Sequence, residues 1–315
     1  MKEEESITDT DIEYQKSEDE KKSKICQFTI DGLDYWPSTK TVDELPSALY
    51  KIRKDYSRGL FLRRTNIILN NLVKINSSSI FQDLLTDIQN FWESRKEYEK
   101  RGRIYKRNVL LYSVPGMGKT SIINLLIDDV INNRNGLVLS LGEPSEIYNF
   151  TEAVNYIRST SPKKPIITVI EDIDKYVGGN SEKALESELL SILDGINTFD
   201  NMVIIATTNY PELLNDRFIN RPSRFSRLIE YKPLNNEARK EFLEKINLKE
   251  DLEKINLDEW VNKTESFTTD MIKELCNCVF INNMPEKEAF KTIENLRSNK
   301  VLKCEDECTN SFGFN

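Results

Sequence analysis

The most reactive side chains of this chain gather in Ser113-Val-Pro-Gly-Met-Gly-Lys-Thr-Ser121, where two glycines precede a lysine and two hydroxyl residues. Gly116 and Gly118 let backbone N–H groups turn inward around anionic oxygens, at the positive end of a following helix. Lys119 can reach the outer phosphates of a bound nucleotide, and Thr120 can offer its hydroxyl to Mg²⁺. Pro115, Met117 and Ser121 complete the loop. The spacing G-x-x-x-x-G-K-[ST] fails only at its first position, which is Ser113.

Two carboxylates, Glu171 and Asp172, follow the apolar run Pro165–Ile170. The first can hold a metal, directly or through its water shell, while the second can orient and deprotonate an attacking water. Asn209 follows the run Met202–Ala206, and its amide can both donate to a terminal phosphate and accept from water. Arg221 and Arg224 flank a Pro-Ser turn, too far along the chain to fold back easily on their own phosphate loop. Arginine suits bidentate phosphate contact. Histidine is absent, which excludes every mechanism that needs imidazole.

These residues need an α/β scaffold. Val109–Leu111 reads as a strand buried on both faces, and Ile122, Ile123, Leu125, Leu126 and Val130 recur at helical spacing. Strands over Gly136–Leu141, Pro165–Ile170 and Met202–Ala206 then alternate with helices near 151–158 and 181–193, which predicts a parallel sheet flanked by helices. Arg227–Tyr231 supplies one further strand. Beyond Asn235 only helices follow, near 236–247, 257–264, 268–283 and 285–298. Phe81, Leu84, Leu85, Ile88, Phe91 and Trp92 mark a helix ahead of the phosphate loop, its Phe91-Trp92 pair packing on the core or flanking an adenine ring. Upstream, Asp31-Gly32 between β-type residues signals a hairpin. The expected organisation is an acidic disordered tail at 1–25, a small β-rich module at 26–75, an α/β core at 76–234, a helical lid at 235–300 and a tail at 301–315.

The chain has 315 residues and a formal charge of −8, half of it in residues 1–25. That balance does not indicate a nucleic-acid binder, although a local basic patch is compatible with it. No apolar run is long enough for a membrane span and no secretory signal opens the chain, so the expectation is cytoplasmic. Disulfides are not expected. Cys276, Cys278, Cys304 and Cys308 could make a zinc site, but Cys276 and Cys278 stand two apart in a helical pattern and do not share a face.

In this order, Pro115-Gly-Met-Gly-Lys-Thr120, Glu171-Asp-Ile-Asp174, Ala206-Thr-Thr-Asn209 and Asn220-Arg-Pro-Ser-Arg-Phe225 resemble the motif series of the AAA ATPases over residues 80–300. The Glu-Asp order, with Leu189-Leu-Ser-Ile-Leu-Asp-Gly195 after it, is similar to the mitochondrial Rieske-protein translocase branch and to AAA ATPases of bacteriophages. The resemblance implies a P-loop α/β core with a helical lid, with ATP and Mg²⁺ as cofactors. It makes Lys119 and Thr120 the Walker A pair, Glu171 and Asp172 the Walker B pair, Asn209 the sensor-1 residue, and Arg221 and Arg224 arginine fingers. It further implies a ring, hexameric or similar, that couples hydrolysis to remodelling or translocation of a protein partner. The alternatives are a DNA-transaction motor or loader, and an ATP-binding switch with little turnover. The family departs here at Ser113, at the inverted Glu-Asp, at Ser223 in place of Gly and at Ser226 in place of Asp. Ile147-Tyr-Asn-Phe150 stands where the family's pore loop lies, with Tyr148 and Phe150 read as packing residues ahead of substrate-gripping ones.

Overall fold

The computed structural model describes residues 27–31, 34–38, 42–55, 59–66, 72–177, 183–194 and 200–297. The tails expected at 1–25 and 301–315 lie outside these. The chain divides into two units, residues 1–45 and 46–315. In the first, β1 (Gln27–Asp31) and β2 (Asp34–Ser38) pair antiparallel with Asp31 opposite Asp34. This hairpin matches the turn signal at Asp31-Gly32, although residues 32–33 themselves are outside the described set.

The second unit is built on seven strands: β3 (Leu49–Asp55), β4 (Gly59–Thr65), β5 (Lys106–Tyr112), β6 (Leu137–Leu141), β7 (Ile166–Ile170), β8 (Met202–Thr208) and β9 (Arg227–Glu230). Their order is β4-β3-β6-β7-β8-β5-β9, parallel throughout except for the antiparallel β3–β4 pair. The module expected at 26–75 therefore does not stand apart. Its strands β3 and β4 extend the main sheet, β3 pairing with β6 from Leu49 opposite Val138 to Lys51 opposite Ser140. The cause is burial: a lone two-stranded hairpin is marginal in water, and joining the sheet buries Tyr50 and Ile52.

Helices α1 (Ser79–Glu93) and α2 (Lys119–Arg134) pack on the sheet through Leu84, Ile88, Ile123, Leu126 and Val130, which cluster with Val109, Leu111, Val203 and Ile205. Helices α3 (Phe150–Thr160) and α4 (Lys183–Asp194) bury Phe150, Val154, Ile157, Leu189 and Leu193. Strands β7 and β8 are buried along their whole length, as their unbroken apolar runs require. Phe91 stacks on Tyr105 with ring centroids 4.3 Å apart, which packs α1 on the core.

The lid comprises α5 (Asn236–Ile246), α6 (Leu257–Lys263), α7 (Thr269–Cys276) and α8 (Glu286–Arg297), joined by short helical turns. Trp260, Phe242, Leu275 and Ile293 form its own core. Cys276 and Cys278 are buried there, and burial pushes the Cys276 thiol up to about 11. Cys304 and Cys308 are outside the described residues. Among the described residues no helix is long and apolar enough to cross a membrane.

Candidate functional site

Strands β5, β7 and β8 are parallel and in register, with Leu110 opposite Ala206 and Ala206 opposite Ile170. Their carboxyl ends therefore open at one edge, where doubly wound sheets bind ligands. Ser113 follows β5, Glu171 follows β7 and Asn209 follows β8, so three segments far apart in sequence meet there. Glu171 and Asn209, together with Pro115 to Ser121, Asp172, Thr207 and Asp270, line a cavity of about 310 Å³.

The loop has the conformation its glycines predict. Gly116 (φ 78°) and Gly118 (φ 90°) occupy the left-handed region, and a Cβ on Gly116 would come within 3.2 Å of Thr268 and Asp270 side-chain oxygens. Lys119, the first residue of α2, is buried, and its Nζ donates to Ser113 Oγ (2.7 Å), Ser113 O (3.2 Å) and Asn209 Oδ1 (2.5 Å). All three acceptors are neutral. Burial lowers the Lys119 pKa from 10.5, and the charges of Asp172 and Asp174 oppose that shift. The cation is thus desolvated, bound only to neutral oxygens, and aimed at a cavity on a helix N-terminus, which suits phosphate. Ser113, the departure from the usual spacing, contributes a hydroxyl that helps to hold Lys119.

Thr120 Oγ1 donates to Glu171 Oε1 at 3.2 Å. A hydroxyl and a carboxylate at this separation make a hard oxygen donor set suited to Mg²⁺, so Thr120 and Glu171 would hold it. Asp172 departs from the helical or extended norm at φ 50°, a strained region for a residue with a Cβ. It is held there by its own N–H, which donates to Thr207 Oγ1 at 3.1 Å, and by Lys175, whose Nζ donates to Asp172 Oδ2 at 2.8 Å.

The paired arginines sit in a different place. Ser226 N–H and Oγ both donate to Asn108 O, at 3.0 and 2.8 Å, which anchors the segment near the amino end of β5. Arg224 is buried: its Nε and Nη2 donate to both carboxylate oxygens of Asp194 at 2.8 and 2.7 Å, and its Nη1 donates to Arg217 O. The Arg224 guanidinium holds the Asp194 carboxyl below 3.8. Arg221 is exposed. Of the two residues read together as fingers, the fold leaves Arg221 available and ties Arg224 into the chain's own framework.

Sequence reading missed the lid's contribution. Thr269 Oγ1 and Asp270 N–H both donate to Gly116 O, at 2.8 and 3.0 Å. Thr268 caps α7, its Oγ1 accepting from Met271 N–H. A capping threonine before an apolar helix is visible in the sequence, but nothing there shows that this helix end meets a loop some 150 residues earlier. Thr208 was also missed; its hydroxyl donates to Asp174 Oδ1 at 2.5 Å and accepts from Tyr210 N–H at 2.9 Å, fixing the turn that carries Asn209. In the segment after β6, Ile147 and Phe150 are fully buried while Tyr148 is 53% exposed, so of its two aromatic residues only Tyr148 can meet a partner.

The model of the AAA family (ATPase family associated with various cellular activities) matches residues 109–233. The chain is 31% identical over 156 residues to the probable mitochondrial chaperone bcs1 of Schizosaccharomyces pombe, covering 47% of this chain and 33% of that protein. It is 29% identical over 226 residues to the ATP-dependent zinc metalloprotease FtsH 2 of a Thermoanaerobacter species (68% and 43%), and 28% identical over 232 residues to the proteasome-activating nucleotidase of Methanococcus maripaludis (67% and 55%). It spans from a third to just over half the length of these relatives. A glycine loop, an acidic strand end and an asparagine-bearing strand end, meeting at one edge of a parallel sheet under a helical lid, agree with that match: this chain carries a domain of the AAA ATPase family.

Proposed function

We propose that the chain hydrolyses ATP to ADP and phosphate with Mg²⁺, within a ring of identical subunits, and couples turnover to remodelling of a protein partner. The observation that carries the reading is the meeting of Lys119, Thr120, Glu171, Asp172 and Asn209 around one cavity. Lys119 leaves its neutral partners for the outer phosphates, a low-cost exchange of like hydrogen bonds. Mg²⁺, when held by Thr120 and Glu171, supplies charge neutralisation on the phosphates. Asp172 accepts the proton of the attacking water once its Oδ2 is released from Lys175, and Asn209 orients that water. The base slots between α1, α2 and α5, beside Met117, where Phe81, Tyr231 and Phe242 line an apolar cleft.

Arg221 serves the neighbouring subunit's pocket. The Arg224 segment is anchored at Asn108, five residues from Ser113 along β5, roughly 16 Å at about 3.3 Å per residue. Relatives named as a chaperone and as a proteasome-activating nucleotidase support a protein as the substrate. The Lys175–Asp172 bond favours one second reading, a switch that binds ATP and turns over only when that bond is broken. A steady-state phosphate-release assay with and without Mg²⁺ tests the first reading. Sustained Mg²⁺-dependent release supports it; tight ATP binding without release favours the switch, and strong stimulation by added DNA would point to a DNA motor instead.

A further inference from the structure

The outer edge of the sheet carries a feature that the nucleotide site does not use. Among the described residues β4 pairs only with β3, so its far side presents unpaired backbone donors and acceptors. Across the pair, Lys51 stands opposite Arg63 on one face, while Arg64 (opposite Tyr50) and Lys54 (opposite Leu60) share the other. Arg53 is bonded to Glu143 and Glu146, but none of the ion pairs among the described residues includes Lys51, Lys54, Arg63 or Arg64. Four cations of one hairpin outside the ion pairs of the described residues are conspicuous in a chain of net charge −8. Beside them Leu60, Phe61 and Leu62 are only partly buried.

We propose that the β4 edge is a docking site for an extended acidic protein segment, which adds to the sheet as a further strand with two consecutive acidic residues opposite Arg63 and Arg64 and apolar residues opposite Leu60 to Leu62. Strand addition draws affinity from main-chain bonds and specificity from alternate side chains. Cations on an edge normally blunt it against other strands, by repelling basic ones and leaving neutral ones unpaired. An acidic strand escapes that exclusion, so the same charges become a selector. A single-stranded nucleic acid fits less well. Its phosphates follow one track, whereas these cations are divided between both faces of the hairpin, and the one ring on the strand, Phe61, is already covered by the Arg63 guanidinium at 5.6 Å.

The test uses the full chain and needs no ATP turnover, so its outcome is independent of the hydrolytic reading. Two fluorescein-labelled peptides, Ser-Glu-Glu-Val-Ile-Val-Ser and its reverse, cover both strand directions in an anisotropy titration. At least one should bind with an affinity that falls as salt rises, and should slow amide hydrogen exchange across Gly59–Thr65. The double variant R63E/R64E should bind at least about tenfold more weakly, since two cross-strand charge pairs turn repulsive. It should in turn prefer the same peptide with Lys-Lys in place of Glu-Glu, a gain that a misfolded variant could not show. Binding without protection of the β4 amides, failure of both peptides to bind, tighter binding of oligo-dT than of either peptide, or a concentration-dependent dimer abolished by R63E/R64E would each overturn the proposal.

Discussion

Lys119 and Arg224 are both buried cations, one beyond the carboxyl end of β5 and the other beside its amino end, and they differ in what they hold. Lys119 bonds only to a hydroxyl, carbonyls and an amide oxygen, so its charge is uncompensated by direct contact. Arg224 faces both oxygens of Asp194, so its charge is committed within the fold. A buried cation with neutral partners is costly unless something anionic arrives; one with a bidentate carboxylate is already at rest. The difference marks Lys119 as the cation open to an anionic ligand and Arg224 as the one committed to the fold; Arg221 is exposed and is held by neither arrangement.

The sharpest way to break this contrast is Lys119→Ala, for which we expect loss of nucleotide binding with folding intact. Titration with a fluorescent ATP analogue reads it, and unchanged affinity would show that the phosphate site lies elsewhere. Next in size is Arg221→Ala, expected to lower turnover by roughly 10³-fold while ATP affinity holds, as for a cation that meets charge developing on the phosphoryl group. Arg224→Ala should behave differently: it strands the Asp194 carboxylate and lowers stability by about 2–4 kcal/mol, read as a fall in urea midpoint. Because Arg224 holds the Asp194 pKa below 3.8, the pair's contribution is full above about that pH and fades as acid approaches the depressed native value. If instead Arg224→Ala melts like wild type and only turnover falls, the roles of the two arginines are exchanged.

For Asp172→Asn we expect hydrolysis down by at least about a hundredfold with ATP binding retained, since general bases contribute on that order. Single-turnover phosphate release measures it, and a mild effect here beside a severe one in Glu171→Gln would invert the two carboxylates. The smallest effect belongs to Ser113→Ala. Lys119 must leave Ser113 to reach phosphate, so ATP affinity should change by no more than roughly threefold, consistent with one neutral hydrogen bond. A far larger loss would mean that Ser113 itself holds phosphate.

The sequence was most readable where each chemical group ends an apolar strand. Parallel strands must release Ser113, Glu171 and Asn209 at one edge, whatever the details of packing, so the site could be assembled from strand order alone. Four things were not readable. Tyr50 and Ile52 alternate in the same way in a free hairpin and in a strand added to a sheet, so their pattern alone does not place β3 and β4 in the main sheet. Arg221 and Arg224 are equivalent by spacing; what distinguishes them is Asp194, thirty residues upstream at the end of α4. The lid's hold on Gly116 through Thr269 and Asp270 depends on where an all-helical unit docks, which its periodicity does not encode. The left-handed turn at Asp172 likewise depends on Thr207 on the next strand and not on Lys175 alone.

Trans action by Arg221 is tested most directly by mixing two inactive proteins. Lys119→Ala lacks a working pocket but keeps Arg221, and Arg221→Ala keeps the pocket but lacks the finger. With subunit exchange verified by energy transfer between labelled copies, co-assembly creates interfaces where a sound pocket meets a sound arginine. Phosphate release should then return to part of the wild-type rate and rise with protein concentration. A mixture that exchanges subunits yet stays as inactive as its components, or an Arg221→Ala protein that turns over normally by itself, would contradict the assignment of Arg221 to a neighbour's ATP.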